Sequence, residues 1–169
     1  MSSRSKNSIS SVETTLFVSL LRIADTLAVE AEQVVKTAGL TGAQYNVLRI
    51  LRGAGREGLA CREIGERMIS RDPDITRLLD RMEKRDLITR ERQTDDRRVV
   101  RTCVTANGLE LLKNLDQPIR ELHKRQFDGF SAPQLKVLVS LLDKIRERQT
   151  DGDKQTNSQS DSSTDQSHA

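Results

Sequence analysis

The sequence predicts a mainly α-helical protein with a single β-hairpin, and three observations lead there. Apolar residues recur at three- and four-residue steps along most of the 169-residue chain, the pattern of amphipathic helices. Aromatic residues make up only 2% of it, with no Trp and one Tyr, which suits packed helices better than a β-sandwich. One stretch, "LITRERQTDDRRVVRTCVT" at residues 87–105, holds two β-prone runs around a turn.

The elements follow in order. After a polar leader over residues 1–12, expected to be flexible, Leu16, Leu20, Ile23, Leu27, Ala31 and Val34 form one stripe of a long helix over about 13–38. Phe17, Leu21, Ala24, Ala28 and Val35 form a second stripe beside it, so this helix has either two partners or one wide core face. Gly39 supplies a left-handed stop, and Thr41 with Gln44 makes a capping box for a second helix carrying Tyr45, Val47, Leu48 and Leu51. "GAGREG" breaks it, and "LACREIGERM" reads as a short amphipathic helix with Leu59, Ile64 and Met68 apolar. In "ISRDPDITRLLDRMEKRDLI", Asp72 is placed to cap, Pro73 fits the first helical position, and Ile75, Leu78, Leu79 and Met82 form the buried face. The other face presents Thr76, Arg77, Asp80, Arg81 and Lys84, preceded by Ser70 and Arg71.

Leu87–Gln93 and Val99–Thr105 then pair across Thr94, Asp95 and Asp96. From Thr105 a helix carries Leu109, Leu112, Leu115 and Ile119, with Pro118 expected to kink it. Ser131 and Gln134 cap a last helix with Leu135, Leu138, Val139, Leu141, Leu142 and Ile145. Residues 149–169 lack apolar periodicity and are expected to be a disordered acidic tail.

Three short helices followed by an arginine-bearing ribbon are the parts of a winged helix-turn-helix, here about residues 41–104, whose second motif helix enters the major groove of DNA. Charge agrees. The net charge of +3 conceals a tail with four Asp against one Lys, net −3, which leaves +6 for residues 1–148, a surplus suited to a polyanion. Arg90, Arg92, Arg97, Arg98 and Arg101 crowd the ribbon, which is narrow enough to bring a guanidinium to the minor groove, about 6 Å wide. Asp96, two residues before Arg98, is placed to orient that guanidinium. The plain alternative is an exposed turn with solvated ion pairs.

Other function classes find little support. Cys61 and Cys103 fit no zinc or disulfide spacing, which points to a reducing compartment. No apolar run reaches the roughly 18 residues of a membrane span, so a cytoplasmic location is expected. No Ser/His/Asp set, phosphate-cradling glycine loop or metal-ligand cluster is present, so neither catalysis nor a cofactor is expected. His123 reads as a solvated helix residue.

"LTGAQYNVLRIL", "REIGERM" and "DITRLLDRMEKRDLITRERQTDDRRVVRTCVTANG" together resemble the MarR family of bacterial transcriptional regulators, over approximately residues 13–148. The resemblance implies a homodimer with intertwined N- and C-terminal helices above two winged lobes. It matches Asp96 and Arg98 to the wing-tip Asp-x-Arg and Thr76 and Arg77 to the recognition-helix Thr-Arg. "SRDPDIT" departs from the pattern, with Asp72 and Asp74 where small or neutral residues are usual.

The expected DNA contacts are therefore Ser70, Arg71, Thr76, Arg77 and Arg81 on the recognition segment, with Asp96, Arg97 and Arg98 on the wing. The apolar surface of the terminal helices exceeds what one small lobe needs, independently of the resemblance. It places Leu16, Leu20, Ile23, Leu138, Leu142 and Ile145 at a dimer interface. The expected partners are double-stranded DNA, a second copy of the chain and a small-molecule effector held between the dimer helices and the DNA lobes. Two alternatives stand beside this reading. One is a cysteine-based redox sensor of the same fold, although such sensors place their Cys near the first helix, where this chain has none. The other is a winged-helix module that binds protein, which would not need guanidinium groups at the wing tip.

Overall fold

Local capping chemistry accounts for where most elements begin and end. The computed structural model describes residues 11–70, 74–92 and 100–160. Helix α1 (Val12–Lys36) starts at Ser11, whose Oγ accepts from the Thr14 amide at 3.2 Å. It stops where Gly39 adopts a φ of +68°, with the Leu40 amide donating back to the Val35 carbonyl at 3.2 Å. Helix α2 (Gly42–Ala54) has the expected capping box: the Gln44 amide donates to Thr41 Oγ1 at 3.2 Å and the Thr41 amide to Gln44 Oε1 at 3.1 Å.

A one-turn 3₁₀ segment, Gly55–Glu57, leads to strand β1 (Leu59–Ala60) and helix α3 (Cys61–Arg67). Leu59 and Ala60, expected in the short helix, are not helical. They pair antiparallel with Thr102 and Arg101, and a two-residue strand is too short to show an alternating pattern. Helix α4 (Ile75–Lys84) begins later than expected. Its cap is Asp74, whose Oδ1 accepts from the Arg77 amide at 3.3 Å, while Asp72 and Pro73 lie outside the described residues.

Strands β2 (Ile88–Arg92) and β3 (Val100–Val104) pair from Ile88–Val104 to Arg92–Val100, giving a three-stranded antiparallel sheet in the order β1-β3-β2. The turn from α4 into β2 repeats the end of α1. The Leu87 amide donates to the Met82 carbonyl at 3.0 Å and the Asp86 amide to the Glu83 carbonyl at 2.9 Å, with Asp86 at φ +54°.

Helix α5 (Ala106–Gln126) runs unbroken through Pro118. Thr105 holds its start, accepting from the Gly108 amide at 3.0 Å and donating to the Asp86 carbonyl at 2.7 Å. Gly108 is required there, because a Cβ would meet the Leu87 carbonyl oxygen. The core lies between α2, α3, α4, the sheet and α5. Val47, Leu48, Leu51, Ile64, Leu79, Met82, Leu87, Ile88 and Leu112 are fully buried in it, each worth about 1.5–3 kcal/mol relative to exposure.

The chain divides into two units, one up to Gln126 and one from Phe127 onward. The second contains helix α6 (Ala132–Ser160), which continues past the expected end at Arg148; residues 149–160 contain no Pro to force a stop. Its cap is half of the expected box: Gln134 Oε1 accepts from the Ser131 amide at 2.8 Å, but the Ser131 hydroxyl donates to that same oxygen at 2.9 Å. No described helix is long and apolar enough to cross a membrane.

Candidate nucleic-acid interface

Helix α4 is divided lengthwise by what its side chains meet. Leu78, Leu79 and Met82 face the core, while Thr76, Arg77, Arg81 and Lys84 are exposed. Arg77, Arg81 and Lys84 fall at four- and three-residue steps, which sets three cations along one line of the helix. Asp80 does not belong to that exposed group, as the sequence reading had it. With Glu83 it turns toward β2 and receives Arg90.

The Arg90 guanidinium donates from Nε to Glu83 Oε2 at 2.9 Å, and from Nη2 to Glu83 Oε2 at 2.5 Å and Asp80 Oδ1 at 2.6 Å. Its pKa is raised, chiefly by the hydrogen bond to Glu83. On the next strand Arg101 Nη1 donates to Glu63 Oε2 at 2.8 Å. That oxygen also accepts from the Ala60 amide at 2.7 Å, at the start of α3. Arg101 Nε is buried without a hydrogen-bond partner among the described residues. Two of the ribbon's five arginines are thus engaged within the fold.

The other expected contacts fall as follows. Asp74 caps α4, and its Oδ2 lies 3.1 Å from Arg77 Nε. Both groups are largely exposed, so the pair orients more than it stabilises. Ser70 is exposed just before α4. Beside it the Ile69 amide donates to Asn46 Oδ1 at 2.9 Å, which ties this turn to α2. Asn46 was not singled out from the sequence, since a polar side chain that accepts from an amide 23 residues away leaves no local pattern. Arg71, Asp96, Arg97 and Arg98 lie outside the described residues. On α3, Arg62 pairs with Glu66 at 2.8 Å.

Above α2 lies a cavity of about 360 Å³ between α1, α2 and α5. Ala28, Ala31, Val35 and Ile119 give it apolar walls, and Tyr45, Asn46, Arg49 and His123 give it polar groups. The Arg49 guanidinium stands over the Tyr45 ring, 5.8 Å from its centroid. Burial pushes the Tyr45 hydroxyl above the ordinary tyrosine value, against an opposing pull from Arg49. The phenol is therefore a neutral donor near pH 7. Ile69 and Ser70 border the same cavity, so its floor is the turn that enters α4.

Cys61 and Cys103 are both half-buried thiols. Cys61 packs against the core, and Cys103 Sγ lies 3.7 Å from the Arg56 carbonyl oxygen. Of the expected interface residues, Leu20 is half-buried, whereas Leu16, Ile23, Leu138, Leu142 and Ile145 are exposed in the single chain.

Comparison with known proteins places this geometry. The MarR family model matches residues 40–100, from the turn before α2 to the first residue of β3. The crystal structure of a MarR transcription factor from Planctomyces limnophilus is 38% identical, with a TM-score of 0.60, covering 79% of this chain and 96% of that one. The HTH-type transcriptional repressor IacR of Pseudomonas putida is 26% identical over 129 residues, 76% of each chain. A mutant MarR from Escherichia coli complexed with operator DNA shares the fold, with a TM-score of 0.72 at 20% identity over 81% of this chain and 97% of that one. Helix order, three-stranded sheet and sequence match agree: the chain belongs to the MarR family of DNA-binding transcriptional regulators.

Proposed function

We propose that this regulator is a ligand-responsive repressor that binds a pseudo-palindromic operator as a homodimer. The observation that carries the reading is the line of Arg77, Arg81 and Lys84 on α4, exposed along the helix edge that its apolar residues leave free. Thr76, Arg77 and Arg81 read base edges from the major groove, with Ser70 and Arg71 on the adjoining phosphates. Arg97 and Arg98, the latter oriented by Asp96, reach the minor groove. Phosphate contacts supply most of the affinity and a few side chains supply the selectivity.

The apolar residues exposed on α1 and α6 favour a two-fold partner, with the dimer helices near residues 13–38 and 105–148 and the two recognition helices about 34–36 Å apart. Repression is favoured by the likeness to IacR, a repressor by name. The effector is a small molecule in the cavity above α2, preferring a conformation whose lobes no longer match the half-site spacing. Emptying the operator takes a difference of several kcal/mol between the two conformations. The protein acts in the cytoplasm, where its DNA is.

The test is capture of fragmented genomic DNA by the purified protein at near-physiological salt, followed by sequencing of the retained fragments. Enrichment of a few sites with symmetric half-sites one turn apart is the expected result. Uniform retention would leave only a non-specific binder.

A further inference from the structure

Arg90 is one of five arginines in the ribbon, but it is placed against the recognition helix rather than toward solvent. Its side chain is only 27% exposed, and its guanidinium lies across two carboxylates at positions 80 and 83, one turn of α4. Strand β1 pairs only with Thr102 and Arg101 at the root of the wing, and on the α4 side the β2–β3 ribbon has no further strand among the described residues, so it twists easily there. The angle between ribbon and helix needs another restraint. A planar guanidinium with three donor contacts to two carboxylates on a rigid helix supplies one, because it fixes distance and rotation together.

We propose that Arg90, seated on Asp80 and Glu83, is a positioning residue that sets the angle between the recognition helix and the wing and makes no DNA contact itself. This rests on the DNA-binding role of α4 and the wing. Its Nε and Nη2 donors are turned to the two acids, so no phosphate is counted against it, and Glu83 favours DNA binding although it is an anion beside a DNA-binding face. Those two consequences separate it from a direct contact and from mere stabilisation.

The experiment measures binding of wild type, Arg90→Gln, Arg90→Lys and Glu83→Gln to two short duplexes, one a fragment retained in the genomic capture and one of random sequence. Salt is varied between about 50 and 200 mM, where each phosphate contact contributes about 0.9 to the slope of log affinity against log salt. On the retained fragment, Glu83→Gln and Arg90→Gln are expected to weaken binding roughly tenfold, the size of one lost base-pair contact. Arg90→Lys should fall between, since an ammonium keeps the charge and loses the fork. On the random duplex the slope of Arg90→Gln should equal that of wild type.

A slope shallower by about 0.9 would show Arg90 on a phosphate and overturn the proposal. Equal or tighter binding of the retained fragment by Glu83→Gln would overturn it as well, reducing the cluster to a stabilising ion pair. Melting curves of each variant, recorded well above the binding temperature, keep loss of folded protein apart from loss of geometry. If wild type did not prefer the retained fragment, the operator reading would fall, while the slope on random DNA would still decide whether Arg90 touches phosphate.

Discussion

Two helices of this chain end in the same reverse turn, one through Gly39 at φ +68° and the other through Asp86 at φ +54°. Glycine takes that conformation freely, whereas an L side chain is disfavoured by about 1–2 kcal/mol, less for Asp and Asn. Replacing Asp86 with Gly relieves the strain but adds freedom to the unfolded chain, worth about 0.4–1 kcal/mol in the opposite direction. The expected net gain for Asp86→Gly is about 0.5 kcal/mol, read as a higher urea midpoint at unchanged slope. A lower midpoint would mean that the Asp86 side chain contributes more than its backbone strain removes. At this scale the sequence was readable wherever a cap is local. Thr41 with Gln44 and the stop at Gly39 are three- to five-residue patterns, and each stands where it was expected. The Asp86 turn went unseen because nothing in "KRDLI" distinguishes a left-handed Asp from a helical one.

At the scale of elements, α4 and the wing divide the labour of recognition, and mutations in each should differ in kind. Arg77→Ala, on the exposed line of α4, is expected to cost about 1–3 kcal/mol on the preferred site and to relax its sequence preference. Arg98→Ala is expected to weaken all DNA alike and make the salt slope shallower by about 0.9. Competition assays with single-base variants of the captured site check both, and an Arg77→Ala protein with undiminished selectivity would remove Arg77 from base readout. The helices were legible because their apolar periods span several turns, as Leu48, Leu51, Ile64, Leu79 and Met82 in the core attest. Strand β1 was not, since only its pairing with Thr102 and Arg101 makes it a strand. Arg90 likewise looked like its neighbours in a basic ribbon. Its role depends on two acids reached through the fold, which no spacing within the ribbon reveals.

At the scale of the molecule, the single chain leaves much apolar surface in water. Phe17 is 61% exposed, Leu21 56%, Val137 60% and Leu141 52%, all on the first and last helices. A homodimer that covers these faces should melt at a temperature that rises with protein concentration, because dissociation is then part of unfolding. Leu142→Asp should lower that temperature and yield monomers in sedimentation. A midpoint independent of concentration would count against the dimer. Within one lobe, the Glu63 carboxylate has a consequence of its own. The same oxygen receives the Ala60 amide, at the join of β1 and α3, and the Arg101 guanidinium from β3. Releasing either partner removes an acceptor arrangement on which the other depends, so the edge strand, the first turn of α3 and the root of the wing should open together as one cooperative unit. Native-state hydrogen exchange would then find the amides of Ala60 and Thr102 sharing one opening free energy, and Glu63→Gln lowering both in step.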